Sequence, residues 1–103
     1  MVNLASDSDF NELLAQNPKL VVKFFADWCG TCKLFAPKYK RLSEDDRFSD
    51  IAFIEVNAEV SPETRRKAGV SNLPYIATFE NGVFKTGIAT GKEEAVIDLL
   101  TNF

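Results

Sequence analysis

Cys29 and Cys32, the only cysteines in a chain of 103 residues, lie where an apolar run gives way to a helical pattern. That junction constrains the fold more than any other stretch. Upstream, Leu20-Val21-Val22-Lys23-Phe24-Phe25 is almost continuously aliphatic or aromatic, the pattern of a strand buried on both faces inside a parallel sheet. Downstream, Leu34, Phe35, Tyr39 and Leu42 recur at helical intervals, with Pro37 among them. Open α/β sheets collect their chemistry outside the carboxyl ends of the strands, which is where this order puts the two sulfurs.

The spacing itself has chemical content. With Cys29 at a helix start and Cys32 one turn on, helical rise and radius bring their Cα atoms to about 5 Å, within disulfide range. Free N–H groups and the positive end of the macrodipole favour a thiolate on the first cysteine. Cys-x-x-Cys thiols in such a setting have pKa values lowered to roughly 3.5–7.5. Gly30 and Thr31 are small enough for another chain to approach the sulfur. A structural zinc site needs four ligands, usually cysteine and histidine, and the chain has no histidine. An iron–sulfur cluster shared between two chains and a pair of inert core cysteines are the other readings. Placement at a βα turn favours a reversible dithiol.

Composition narrows the partners. Hydrophobic content of 46% and nine phenylalanines support a filled core in one domain spanning 1–103. A net charge of −3 argues against nucleic acid or an anionic membrane as the main partner. The segment from Met1 to Asp7 lacks the basic and apolar regions of a signal peptide, and no run approaches the ~20 apolar residues of a membrane helix. With a single cysteine pair, a reducing, cytoplasmic compartment is expected.

Along the chain, the pattern predicts a helix after Ser6-Asp7-Ser8-Asp9 that closes near Pro18, and strands over Leu20–Ala26, Ile51–Val56 and Tyr75–Phe79. Asn81-Gly82 predicts a hairpin into Val83-Phe84. Ser61-Pro62 reads as an N-cap followed by proline at the first helical position. Thr90-Gly91-Lys92-Glu93 reads as a capping box before a last helix with Val96, Leu99, Leu100 and Phe103 on its apolar stripe. Acidic Glu44-Asp45-Asp46 reads as a solvated helix end or loop, and Val2-Asn3-Leu4 as a short edge strand.

Phe25-Ala26-Asp27-Trp28-Cys29-Gly30-Thr31-Cys32-Lys33 resembles the active site of thioredoxins, whose usual form is W-C-G-P-C-K. Ala36-Pro37, Leu73-Pro74 and Asn81-Gly82 extend the resemblance in order over nearly the whole chain. It implies the thioredoxin fold, an α/β architecture with a central mixed sheet flanked by helices on both faces. The implied activity is protein disulfide reduction, with Cys29 as nucleophile and Cys32 as resolving thiol. Trp28 would shield and border the site; the blander reading is a half-buried packing aromatic. A cis Pro74 would turn Leu73 toward an incoming peptide. Gly30, Thr31, Asn72 and Gly91 would line the same groove. The resemblance also implies a monomer with no cofactor beyond its own disulfide, acting on disulfide-containing proteins and re-reduced by a thioredoxin reductase.

Four departures from the family pattern stand out. Thr31 replaces the usual proline. Asn72 and Thr90 fall where glycine is usual, with Gly91 one residue further on. Lys23 takes the place of a buried aspartate, and Glu55 stands near the usual lysine, so that a charge pair tuning proton transfer at Cys32 would be reversed. A more oxidising isomerase or oxidase, or a non-catalytic binding module on the same fold, are the alternatives.

Overall fold

Strand β2 (Lys19–Phe25) forms because five consecutive residues, Leu20 to Phe24, find burial on both faces. In the computed structural model, which describes residues 1–103, it is the middle strand of a five-stranded sheet. Strand β1 (Val2–Ala5) lies at one edge beside β3 (Ala52–Asn57), and both run parallel to β2. Strands β4 (Tyr75–Glu80) and β5 (Val83–Ala89) complete the order β1-β3-β2-β4-β5, antiparallel to β2 and to each other respectively. Asn81 and Gly82 turn the β4–β5 hairpin with φ of 53° and 83°, the left-handed pair a two-residue hairpin requires.

The alternation of β2 divides the core. Leu20, Val22 and Phe24 face one apolar layer with Phe10 of helix α1 (Asp7–Gln16) and Ala68 of helix α3 (Pro62–Ala68). Val21 faces the other, with Phe35, Tyr39 and Leu42 of helix α2 (Gly30–Ser43) and Val96 and Leu100 of helix α4 (Glu93–Thr101). Each of these valine, leucine and phenylalanine side chains contributes on the order of 1.5–3 kcal/mol on burial. The Tyr39 hydroxyl donates between the carbonyls of Ile54 (2.8 Å) and Val21 (3.1 Å), which fixes α2 over β2 and β3. Helix α2 runs on through Pro37, which is exposed.

Two helix starts differ from their sequence expectation. Ser61 does stand at the N-cap of α3 and Pro62 follows it, but the serine side chain is buried and its Oγ has no hydrogen-bond partner. The cap comes instead from Asp7, whose carboxylate accepts the Glu63 and Thr64 N–H groups (3.0 and 2.8 Å) and the Thr64 hydroxyl (2.7 Å). The expected Thr90–Glu93 capping box does not form. The Thr90 N–H is held by the Pro74 carbonyl at 3.1 Å, and the helix begins only after Lys92. Thr90 Oγ1 then accepts the Lys92 N–H, and Glu93 reaches Arg41 at 3.5 Å. The acidic run past α2 is an ordered turn: Asp45 caps a short 3₁₀ helix (Asp46–Phe48) and accepts the Arg47 N–H at 2.9 Å.

Candidate active site

β2 ends at Phe25, and the turn Ala26-Asp27-Trp28 delivers Cys29 to the start of α2, with the Cys29 N–H bonded to the Ala26 carbonyl at 3.1 Å. Cys29 is the N-cap, and its sulfur accepts the Cys32 N–H at 3.2 Å. The two cysteines are joined as a disulfide with Cα atoms 5.3 Å apart. The geometry anticipated from helical spacing is therefore the one found. At 5% and 3% exposure the cysteines differ little in accessibility. The difference between them is electrostatic: Cys29 lies at the unsatisfied, positive end of the helix.

Trp28 is not half-buried. It is 68% exposed and stands out from the surface beside Cys29. Leu34, placed by its spacing on the apolar stripe of α2, is 75% exposed on the solvent side. Cys32, Phe35, Tyr39 and Leu42 satisfy the buried face without it, so the helical phase was the signal that separates Leu34 from them.

Across from the disulfide, the Leu73–Pro74 peptide is cis, and Leu73 packs against the cluster of Ala26, Cys29 and Cys32. Pro74 is buried, while Asn72 is exposed. Thr90 is tied to the site by its N–H on the Pro74 carbonyl, and Gly91 lies against Thr31 and Pro74. A Cβ on it would lie 2.9 Å from Thr31 Cγ2 and 3.4 Å from Pro74 Cγ. A Cβ on Gly30 would meet nothing within 4 Å, so the space above it is open to an incoming chain.

Behind Cys32 is a cavity of about 180 Å³ lined by Lys23, Phe25, Ala26, Asp27, Lys33, Ala36 and Glu55 as well as the cysteine. Lys23 and Glu55 are opposed in the parallel register of β2 and β3, with Nζ 3.2 Å from Oε2. The lysine side chain is 3% exposed and the glutamate 31%, so the pair is buried at one end and reaches solvent at the other. Tyr39 and Phe25 rings lie 5.4 and 5.8 Å from the ammonium. Burial first, and the Glu55 charge second, raise the Tyr39 phenol far above its ordinary pKa, so it stays a neutral donor. No cluster of three or more His, Cys, Asp or Glu side chains gathers as a metal site.

The thioredoxin family model matches residues 1–102. The chain belongs to the thioredoxin family. Thioredoxin-1 of Schizosaccharomyces pombe is 40% identical over 83 residues, 80% of this chain and 79% of that one. The thioredoxin of Mycoplasma genitalium is 32% identical over 103 residues, 99% of each. The crystal structure of Schistosoma mansoni thioredoxin superposes with a TM-score of 0.89 at 34% identity, covering 99% of this chain and 94% of that one. The chain is accordingly a thiol–disulfide oxidoreductase that reduces protein disulfides, and thioredoxins do so through their own dithiol.

Proposed function

We propose that Cys29 is the attacking thiolate and Cys32 the resolving thiol, and the observation that carries this is the Cys29 sulfur at the helix N-cap accepting the Cys32 N–H. In the reduced protein the Cys29 thiolate attacks one sulfur of a target disulfide and expels the other as a thiolate. Cys32 then loses its proton and attacks the Cys29 sulfur. The second target thiolate leaves, and the intramolecular disulfide remains. Two electrons pass to the target, and an external reductase of the thioredoxin reductase class restores the dithiol.

Trp28, Gly30, Thr31, Asn72, Leu73, Pro74 and Gly91 form the groove around the sulfurs in this reading. A target segment would pair its backbone with Leu73 as an added strand. Lys23 and Glu55 serve the resolving step from behind Cys32. The protein acts as a monomer in a reducing, cytoplasmic compartment, the setting that a single cysteine pair used as a reversible dithiol favours. Serine variants test the assignment: Cys29→Ser should lose turnover, and Cys32→Ser should accumulate mixed disulfides through Cys29, read by mass spectrometry. Adducts through Cys32 in Cys29→Ser at comparable yield would reverse the two roles.

A further inference from the structure

Helix α2 differs in charge from every other α-helix of the fold. Its 14 residues include Lys33, Lys38, Lys40 and Arg41 and no acidic side chain, in a chain of net charge −3. Helices α1, α3 and α4 each carry acid in the first turn (Asp7 and Asp9, Glu63, Glu93 and Glu94), as the macrodipole favours. Helix α2 carries none there. Compensation of the dipole accounts for Lys40 and Arg41 in the last turn but not for Lys33 or Lys38. Only Arg41 of the four has an ion-pair partner, Glu93, and the three lysines are exposed and unpaired.

Helical phase groups these charges. Lys33 and Lys40 form one row opposite the buried face, and Leu34, Lys38 and Arg41 form another that runs round to the flank beside Leu42; all five side chains are exposed. At 1.5 Å per residue, Lys33 lies about 6 Å and Lys40 about 16 Å from Cys29 along the axis. An extended segment covers that length in about five residues. Exposed Leu34 adds an apolar side chain to the row of Lys38 and Arg41. The nearest opposing charges are Glu93, paired with Arg41 at 3.5 Å, Asp27 before the helix, Glu44 after it, and Glu55, which lines one depression with Lys33 and another with Lys40, and none of these pairs with a lysine of the strip.

We propose that the solvent face of α2 is a docking strip for partner proteins whose target disulfide is flanked by acidic side chains. The inference rests on the reductase reading of Cys29 and Cys32 and specifies which disulfides reach that site fastest. Unpaired lysines beside a reactive group raise the encounter rate with acidic targets, and the gain falls as salt screens it. The negative charge of the remaining chain disfavours a polyanion longer than the strip.

The test follows pre-reduced protein with three fluorogenic disulfide peptides of one core, flanked by three aspartates, three serines or three lysines. The acidic peptide should be reduced about tenfold faster than the neutral one at low ionic strength, with the ratio approaching one at ~0.5 M salt. Lys38→Gln/Lys40→Gln should cut that ratio at least threefold, whereas Lys85→Glu, an equal change in net charge at the far end of the sheet, should leave it in place. The neutral peptide, read in the same samples, reports folding and dithiol chemistry. An acidic-to-neutral ratio near one in the parent protein, or one equally reduced by Lys85→Glu, overturns the strip. Suppression of acidic-peptide reduction by a single-stranded oligonucleotide at equal charge overturns it in favour of nucleic acid. Failure to reduce any peptide overturns the reductase reading, and the strip with it.

Discussion

Removing one partner of the Lys23–Glu55 pair should have very different consequences depending on which is removed. At 3.2 Å, two unit charges attract by about 5 kcal/mol at an effective dielectric of 20. Desolvation of Lys23 cancels much of that, so the net value of the intact pair is small. Glu55→Gln leaves the buried ammonium without its ion-pair partner, a change that costs about 3–5 kcal/mol in comparable sites. The rings of Tyr39 and Phe25 give back part of it, since cation–π contacts contribute about 0.5–2 kcal/mol, and the expected loss is about 3 kcal/mol. Lys23→Met leaves only Glu55, which already reaches solvent and can turn further outward, so the expected loss is about 1 kcal/mol or less. The double variant should resemble Lys23→Met, giving a coupling energy of about 2–3 kcal/mol.

Urea midpoints with a constant m-value measure these differences. Catalysis supplies the second readout. The cation should favour the Cys32 thiolate and Glu55 should accept its proton, so Glu55→Gln is expected to slow resolution of the mixed disulfide and Lys23→Met to move its pH profile upward. Asp27 also lines the cavity, and Asp27→Asn serves as the control for a competing base. Additive stability losses with an unchanged pH profile would refute both the pair and its role. A Glu55→Gln loss no larger than that of Lys23→Met would refute the asymmetry alone.

Two further outcomes follow from the helix starts. Thr31→Pro should lower the reduction potential by about 10–20 mV, read by equilibration with glutathione, because proline restricts the reduced turn by about 0.4–1 kcal/mol; an equal or higher potential would count against the idea. Asp7 is subject to burial, which raises its pKa, but the hydrogen bonds from Thr64 and Glu63 outweigh that and hold it below the ordinary value. Its folded pKa being depressed, its stabilisation is complete above the unfolded value of about 3.9 and disappears as pH falls through the folded one. Asp7→Asn should therefore destabilise at neutral pH and flatten the acid limb of stability against pH, and an unchanged acid limb would exclude the cap.

What the sequence discloses is what local pattern decides. The buried run at β2, the Asn81-Gly82 turn and the helix-start cysteines each depend on neighbours in sequence, and each is where it was expected. The strand order came from resemblance, since periodicity carries no information about which strands adjoin. Asp7 caps a helix more than fifty residues away, a contact created only when α1 and α3 pack side by side. Ser61 has the residue type and position of a cap, and tertiary packing overrides it. The reversed pair was legible because a charge interrupting a buried strand needs a partner, and the parallel register puts Glu55 opposite. How far it opens to solvent was not, because burial of Glu55 depends on the edge strand and α2 together.

The contact between Thr31 and Gly91 joins the motif to a residue sixty positions away, and it can be tested by exchange. The family's usual proline is absent here, and the Thr31 methyl group occupies space that a side chain at 91 would need. In Gly91→Ala the new Cβ would lie 2.9 Å from that methyl, closer than real Cβ contacts tolerate, and 3.4 Å from Pro74, an ordinary contact. Thr31 is exposed, so it can rotate about χ1 to relieve the overlap, but it would leave its preferred rotamer at a cost of about 0.5–1.5 kcal/mol. A loss of about 1 kcal/mol in stability is therefore expected, together with slower reduction of protein disulfides as the groove beside Pro74 narrows. Thr31→Ser removes the methyl group and keeps the hydroxyl. If the clash is the cause, Thr31→Ser/Gly91→Ala should recover the stability that Gly91→Ala loses, while the groove, still carrying the added Cβ, should recover activity only in part. Equal losses in the single and double variants would mean that Thr31 is not what Gly91 makes room for, and that Pro74 or the target alone requires a glycine there.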